Sequence, residues 1–186
     1  MEKEFWENRY KDKTTGWDIK AVSTPIKEYI DQLSTKELSI LVPGCGFGHE
    51  VIYLFNSGFT TITALDFAPE SLSKISEHSS EIKTLSEDFF MHSGKYDLIL
   101  EQTLFCAIDP ARRDEYAKKC ADLLNENGKY VGLLFDREFE GGPPFGGSTQ
   151  EYQTRFSNYF SSVEISPCYN SIEARKGTEA FIIAKK

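Results

Sequence analysis

No run in this sequence approaches the ~18 consecutive apolar residues that a membrane span requires. None of the four cysteines, Cys45, Cys106, Cys120 and Cys168, stands in a C-x-x-C pair, and the three histidines, His49, His78 and His92, are scattered. Zinc ligation and a disulfide framework are therefore poor readings, and no metal is expected. The amino terminus, MEKEFWENRYKDK, has no apolar h-region, so no secretory signal is expected, and free thiols then point to the cytoplasm. Internal repeats, low-complexity tracts and linkers are lacking as well. Basic charge is in short supply: 21 Lys and Arg face 29 Asp and Glu, a net charge of −8, which removes the drive to coat a phosphate backbone. Nucleic-acid and membrane partners are not expected; a small anionic ligand stays open, because its binding depends on the local field. What is present is globular composition, 40% apolar and 27% charged, over a length of 186 residues that suits one domain, residues 1–186, expected to be a monomer.

Two kinds of segment alternate along the chain. Short apolar runs closed by turn residues lie at Leu38–Val42, Thr61–Leu65, Tyr96–Leu100 and Lys129–Phe135, with a weaker one at Ile82–Leu85. Such runs suit buried parallel strands. Between them lie helical patterns: Ile26, Tyr29, Ile30 and Leu33 after Thr24-Pro25; Val51, Ile52, Leu54 and Phe55 within Gly48–Asn56; Leu72 and Ile75 after Ala68-Pro69. A further one, Ala111–Leu124, carries a stripe of Tyr116, Cys120, Leu123 and Leu124. Ser162–Ile165 and Ala180–Ala184 look like strands separated by Gly177, a hairpin-like finish. The alternation implies a doubly wound α/β sheet with helices on both faces.

The most informative segment reads Ile40-Leu-Val-Pro-Gly44-Cys-Gly46-Phe-Gly48-His-Glu50: a strand, glycines at every second position, then a helix. Glycine serves where backbone must turn tightly and approach a ligand, and the helix that follows offers free N–H groups. Such a turn can take a pyrophosphate or the carboxylate of an amino-acid-like cofactor. In the dinucleotide fingerprint G-x-G-x-x-G the third glycine would fall on His49, so a nicotinamide-dependent oxidoreductase is disfavoured. The G-x-G-x-G present is more usual for S-adenosylmethionine, although a plain turn is also compatible. Asp66 ends the second run and can accept from ribose hydroxyls, or it can cap the helix after Ala68-Pro69. Asp88, after the weak third run, can accept from an adenine amino group or sit in a solvated loop.

Around this turn stand further blocks in order: Phe5-Trp6-Glu-Asn-Arg9-Tyr10, Thr15-Gly16-Trp17-Asp18, Leu65-Asp66-Phe-Ala-Pro-Glu70-Ser71, Glu87-Asp88-Phe89-Phe90, Tyr96-Asp97-Leu-Ile-Leu-Glu101-Gln-Thr103-Leu-Phe105-Cys106-Ala107-Ile, and Gly141-Gly-Pro143-Pro144-Phe145. The series resembles the thiopurine S-methyltransferase family, and particularly its thiol and halide methyltransferase branch, over about residues 5–147. The resemblance implies a class I methyltransferase (Rossmann-like) fold: seven mostly parallel strands, the last antiparallel, with a helical amino-terminal lid within residues 1–34. It implies S-adenosylmethionine as cofactor, with S-adenosylhomocysteine as product, and a small-molecule methyl acceptor. Carried over by position, it implies Gly44, Cys45 and Gly46 along the methionine end, Asp66 on the ribose, Asp88 and Phe89 at the adenine, and Glu101, Gln102 and Thr103 near the sulfonium, with Trp6 and Trp17 as the lid tryptophans. Tyr10 stands where some members have a third tryptophan.

The chemistry this asks of the chain is mainly alignment and exclusion of water. A halide or thiolate needs no strong general base, and no base with an orienting partner is visible: each histidine reads as solvated or structural. Trp6 and Tyr10, four apart, share a helix face that either staples the segment to the core or closes over a cation. Glu138–Gly147, EFEGGPPFGG, is a loop after a buried strand, and such loops line the crevice of doubly wound folds. Arg137 and Phe145, with Tyr10 and Phe105, are therefore the candidate acceptor-pocket residues. Cys106 reads as a small buried apolar residue, and Arg175 as part of a hairpin tip able to guide an anion. The expected activity is in-line methyl transfer to a thiol, hydrosulfide, thiopurine or halide. Transfer to oxygen or nitrogen of another small molecule, or noncatalytic cofactor binding, are the alternatives.

Overall fold

A computed structural model describes residues 3–186; Met1 and Glu2, the first residues of the expected lid and domain, lie outside the described residues. Seven strands form one sheet in the order β3-β2-β1-β4-β5-β7-β6. They are β1 (Ser39–Pro43), β2 (Thr61–Asp66), β3 (Lys83–Ser86), β4 (Tyr96–Gln102), β5 (Leu124–Phe135), β6 (Ser162–Pro167) and β7 (Glu179–Lys185). β1 pairs in parallel with β2 and β4, β2 with β3, and β4 with β5; β7 alone runs antiparallel to its neighbours β5 and β6. Six helices flank the sheet: α1 (Lys3–Lys11), α2 (Thr24–Asp31), α3 (His49–Asn56), α4 (Pro69–His78), α5 (Arg113–Leu123) and α6 (Thr149–Phe156). The seven-stranded, mostly parallel α/β sheet with its last strand antiparallel is thus present.

Alternation along the strands divides the core in two. Ile40, Val42, Ile62, Ala64, Leu98 and Leu100 face α2, α3 and α4, where Ile26, Ile30, Val51, Leu54 and Ile75 are fully buried. Leu41, Ile99, Tyr130, Leu134 and Ile182 face the other way, against Tyr116 and Cys120 of α5 and Tyr152 and Phe156 of α6. Full burial of each such side chain is worth about 1.5–3 kcal/mol, so these two layers hold the strand ends in fixed register.

Three local features differ from the sequence reading. β5 begins at Leu124 rather than Lys129: the pairing shifts from Tyr96↔Leu124 to Leu98↔Lys129, so Asn127-Gly128 is a bulge within the strand, with Asn127 at φ +63°. α6 was not expected, although its signal is present: Ser148 caps it, its hydroxyl accepting from the Glu151 N–H at 3.2 Å, the S-x-x-E box. The β6–β7 connection is not a tight hairpin but an eleven-residue excursion, 168–178, that includes a 3-10 turn at Glu173–Arg175.

Candidate active site

The crevice lies at the carboxyl ends of the strands, where the sheet order reverses between β1 and β4, the place where doubly wound folds bind ligands. A cavity of about 320 Å³ opens there between the β1–α3 turn, the ends of β2 and β4, the Pro143-Pro144 loop and the amino-terminal segment. That volume is at the lower end of the range for small-molecule sites, about 300–1,000 Å³.

The turn after β1 is built on its glycines. Gly44, Gly46 and Gly48 have φ of +59°, +53° and +76°, conformations that a side chain makes costly. A Cβ on Gly44 would lie 2.8 Å from Leu104 Cδ1, and one on Gly48 would run into Ile75. The turn is tied to β2 by its backbone, with Cys45 N–H donating to the Leu65 carbonyl at 3.1 Å. α3 follows Gly48 with no side-chain cap, which leaves first-turn N–H groups facing the crevice end of the helix.

Asp66 is buried at the end of β2, and its carboxylate bridges two backbone amides rather than capping α4, whose N-cap is Ala68 without a side-chain cap. Its Oδ2 accepts from Gly46 N–H at 2.9 Å and its Oδ1 from Ala68 N–H at 3.0 Å. It also lines the cavity. Burial pushes its carboxyl up, opposed by those backbone N–H groups. Asp88 lines the cavity too, accepting from Phe90 N–H at 2.8 Å in a local turn. Phe89 meets the cavity from the core, packed 5.0 Å from Tyr116 between ring centroids.

The amino-terminal segment contributes an aromatic chain. Trp6 stands edge-on to Trp17 at 5.4 Å, Tyr10 to Trp17 at 5.7 Å, and Tyr10 to Phe47 at 5.2 Å. All four line the cavity. Between residues 3 and 20 only Tyr10 is buried; burial and the Asp66 charge push its phenol up. The segment is fastened by side chains. Arg175 Nη2 donates to the Trp17 carbonyl at 3.0 Å, and His49 Nε2 lies 2.8 Å from Asp18 Oδ1. With the Gln102 amide oriented so that its oxygen accepts from Arg175 Nη1 at 3.2 Å, its nitrogen donates to Ser23 Oγ at 2.9 Å and to Glu50 Oε1 at 2.6 Å.

Several candidates lie elsewhere. Glu101, expected near the sulfonium, does not line the cavity: it points into the core and is 1% exposed. Its Oε1 accepts from Leu104 N–H at 2.7 Å and Phe105 N–H at 3.0 Å, and its Oε2 from the Tyr130 hydroxyl at 2.8 Å. Burial, opposed by these donors, raises its carboxyl to about 7. Glu101 is the anchor of the turn that carries Thr103 and Leu104 to the cavity wall, with Thr103 at φ +62°. Phe105 is also in the core, between Tyr116, Tyr152 and Phe156. Arg137 is exposed and lies over the Phe139 ring. Phe145 is drawn away by its backbone, its N–H donating to the Cys106 carbonyl at 2.6 Å and its carbonyl accepting from buried Arg113 at 3.3 Å. From that loop it is Pro143 and Pro144 that reach the cavity; of the four acceptor-pocket candidates, Tyr10 does. Cys106 lines the cavity, but burial first and the Glu101 charge second push its thiol up to about 12, far from a nucleophile.

The sequence reading missed the partnered histidines. His49 pairs with Asp18 at the cavity, and buried His92 sits between Glu87 and the Tyr96 hydroxyl. Asp18 and His49 are 31 positions apart, so no local pattern announces them. No group of three or more His, Cys, Asp or Glu stands together as a metal site among the described residues.

The donor set fits S-adenosylmethionine. Backbone turns held open by glycine, acids at the ends of two adjacent strands and aromatic faces suit an amino-acid end, a nucleoside and a cation in that order. The family model of thiopurine S-methyltransferase (TPMT) matches residues 1–181. Thiocyanate methyltransferase 1 of Brassica oleracea is 31% identical over 189 residues, covering 96% of this chain and 83% of that protein. The protein named probable thiol methyltransferase 2 of Arabidopsis thaliana is 29% identical, covering 94% and 81%. Among solved structures, the Burkholderia thailandensis 1,6-didemethyltoxoflavin-N1-methyltransferase with S-adenosylhomocysteine superposes with a TM-score of 0.75 over 99% of this chain and 86% of that one, at 15% identity, a likeness of fold.

Proposed function

For this chain, which belongs to the thiopurine S-methyltransferase family, we propose in-line methyl transfer from S-adenosylmethionine to a small soft nucleophile: a thiol, hydrosulfide, thiopurine or halide. One observation carries the reading. The glycine turn, Asp66 and the Trp6–Tyr10–Trp17 aromatics converge on one cavity of about 320 Å³, a size that suits small-molecule ligands. The relatives named for thiocyanate and thiol substrates support the soft character of the acceptor.

When bound, S-adenosylmethionine supplies a methyl group already activated on a sulfonium. The residues proposed to hold it are Gly44, Cys45 and Gly46 through backbone, Asp66 and Asp88 through carboxylates, and Phe89, Gln102 and Thr103 through the cavity wall. Trp6 and Trp17 exclude water and offer ring faces to positive charge. Tyr10, held up by burial as a neutral phenol, bridges the lid and the glycine turn. We further propose that residues 1–186 work as one domain, as a monomer, in the cytoplasm; no described helix is long and apolar enough to cross a membrane.

The test is a transfer screen with methyl-labelled cofactor against alkyl thiols, sulfide, iodide, thiocyanate, thiopurines, and simple phenols and amines. Labelled thioether or methyl halide is the expected product. Turnover confined to oxygen or nitrogen acceptors would overturn the soft-nucleophile reading.

A further inference from the structure

We propose that Asp18 and His49 form an acid–base pair that takes the proton from a protic acceptor, so that this site is built for neutral thiols rather than for halides. The inference rests on the methyl-transfer reading above and names the acceptor class within it.

The two side chains meet at 2.8 Å, Nε2 to Oδ1, and both residues line the cavity. They come from different parts of the site. His49 opens α3 directly after the glycine turn, and Asp18 lies in the lid loop, where Lys20 N–H also donates to its Oδ1 at 2.8 Å. The pair is partly shielded, the side chains being 28% exposed for His49 and 12% for Asp18. With Nε2 engaged by the carboxylate, Nδ1 has no hydrogen-bond partner among the described residues. A carboxylate on one ring nitrogen and an open second nitrogen is the arrangement in which an imidazole accepts a proton and the carboxylate stabilises the imidazolium.

Charge is arranged around the ring from several elements. Asp18 faces it from the lid loop and Glu50 from its own helix, while Glu50 in turn feels Arg175 from the β6–β7 connection. Arg9 of α1 and Asp66 at the end of β2 line the same cavity. Neither cysteine at the cavity can serve in place of the histidine, since burial pushes the thiols of Cys45 and Cys106 up.

The need for a base separates the acceptor classes. A simple thiol ionises near pH 8.5, so only about 3% is thiolate at pH 7. A halide carries its lone pairs and charge without losing a proton. In the step inferred here the S–H bond breaks, its electron pair stays on sulfur, and the proton passes to Nδ1 of His49. The resulting imidazolium is held beside Asp18 and returns its proton to water after the product leaves. No further reactant is required.

The experiment measures kcat/KM from pH 6 to 9 for an alkyl thiol and for iodide with wild type, His49→Gln and Asp18→Asn. Binding of S-adenosylhomocysteine is measured by calorimetry in parallel. At pH 7, His49→Gln is expected to lower the thiol value at least about tenfold more than the iodide value. The thiol profile of the variant then rises about tenfold per pH unit toward 8.5, following free thiolate, where wild type is shallower. Asp18→Asn, which keeps the imidazole but removes its counter-charge, shifts the thiol-to-iodide ratio in the same direction by less. Equal losses for both acceptors, matched by weaker product binding, would mean that the pair only fastens the lid and would overturn the inference. An unchanged ratio in both variants would overturn it as well, while leaving the methyl-transfer reading intact. No turnover of either acceptor by wild type would overturn both.

Discussion

The two walls of the cavity are made in opposite ways. The wall at the ends of β1, β2 and β4 is defined by backbone: glycines at positive φ, the Asp66 carboxylate bridging Gly46 and Ala68, and Glu101 holding the Leu104 and Phe105 amides, all backed by fully buried Leu41, Ile99 and Ile75. The lid wall, residues 3–20, buries only Tyr10 and is held by edge-on rings, one guanidinium and one His–Asp pair. A wall fixed by packed backbone is preformed whether or not ligand is present. A wall fixed by a few partly exposed side chains is expected to open at lower cost, the property that a lid over this cavity needs.

The largest effect should come from the preformed wall. Gly48→Val adds a branched side chain at φ +76° against Ile75. Strain and overpacking together are expected to cost about 2–5 kcal/mol of stability, read as a lower urea midpoint. Asp66→Ala strips the partner from two backbone amides. About 2–3 kcal/mol of stability should be lost, together with at least tenfold of cofactor affinity by calorimetry. A loss of affinity without a loss of stability would mean that the turn does not need Asp66 to hold its shape.

Glu101 sharpens the comparison through pH. Its folded carboxyl stands at about 7, above the ordinary value near 4.5. Below about 4.5 it is protonated folded or unfolded; between 4.5 and 7 only the unfolded chain gives up the proton. Stability contributed by this group is therefore present in acid and lost as pH rises through 7. Glu101→Gln should flatten that fall, by up to about 3 kcal/mol between pH 5 and pH 8 in denaturant titrations. The slope should be unaffected by lid substitutions. The smallest effect on stability belongs to the lid itself. Trp17→Ala should cost under about 1 kcal/mol, because the ring is only partly buried, yet reduce turnover about tenfold by admitting water.

The same contrast explains what could be read in the sequence. The strands, the glycine turn and Asp66 were legible because local pattern and backbone geometry express one another: Leu38–Val42 reads as a buried run, and glycine at every second position has few uses. Glu101 was misplaced because a one-residue change along β4 reverses the face that a side chain takes. Glu101 alternates away from Leu100 onto the Ile99 face of the sheet, where it meets Tyr130, while Gln102 reaches the cavity. Phe145 is drawn off by Arg113 of α5, a tertiary contact, and Arg137 turns outward over the Phe139 ring. The Asp18–His49 contact is tertiary, formed only when lid meets turn. α6, by contrast, is readable from Ser148 and Glu151, the S-x-x-E pattern at its start.

Amide hydrogen exchange with and without S-adenosylhomocysteine tests the two-wall account most directly. Residues 41–54 should be protected in both states, and residues 3–20 should exchange freely alone and gain protection with ligand. Equal protection of residues 3–20 in both states would contradict it, making the aromatic segment a permanent part of the fold.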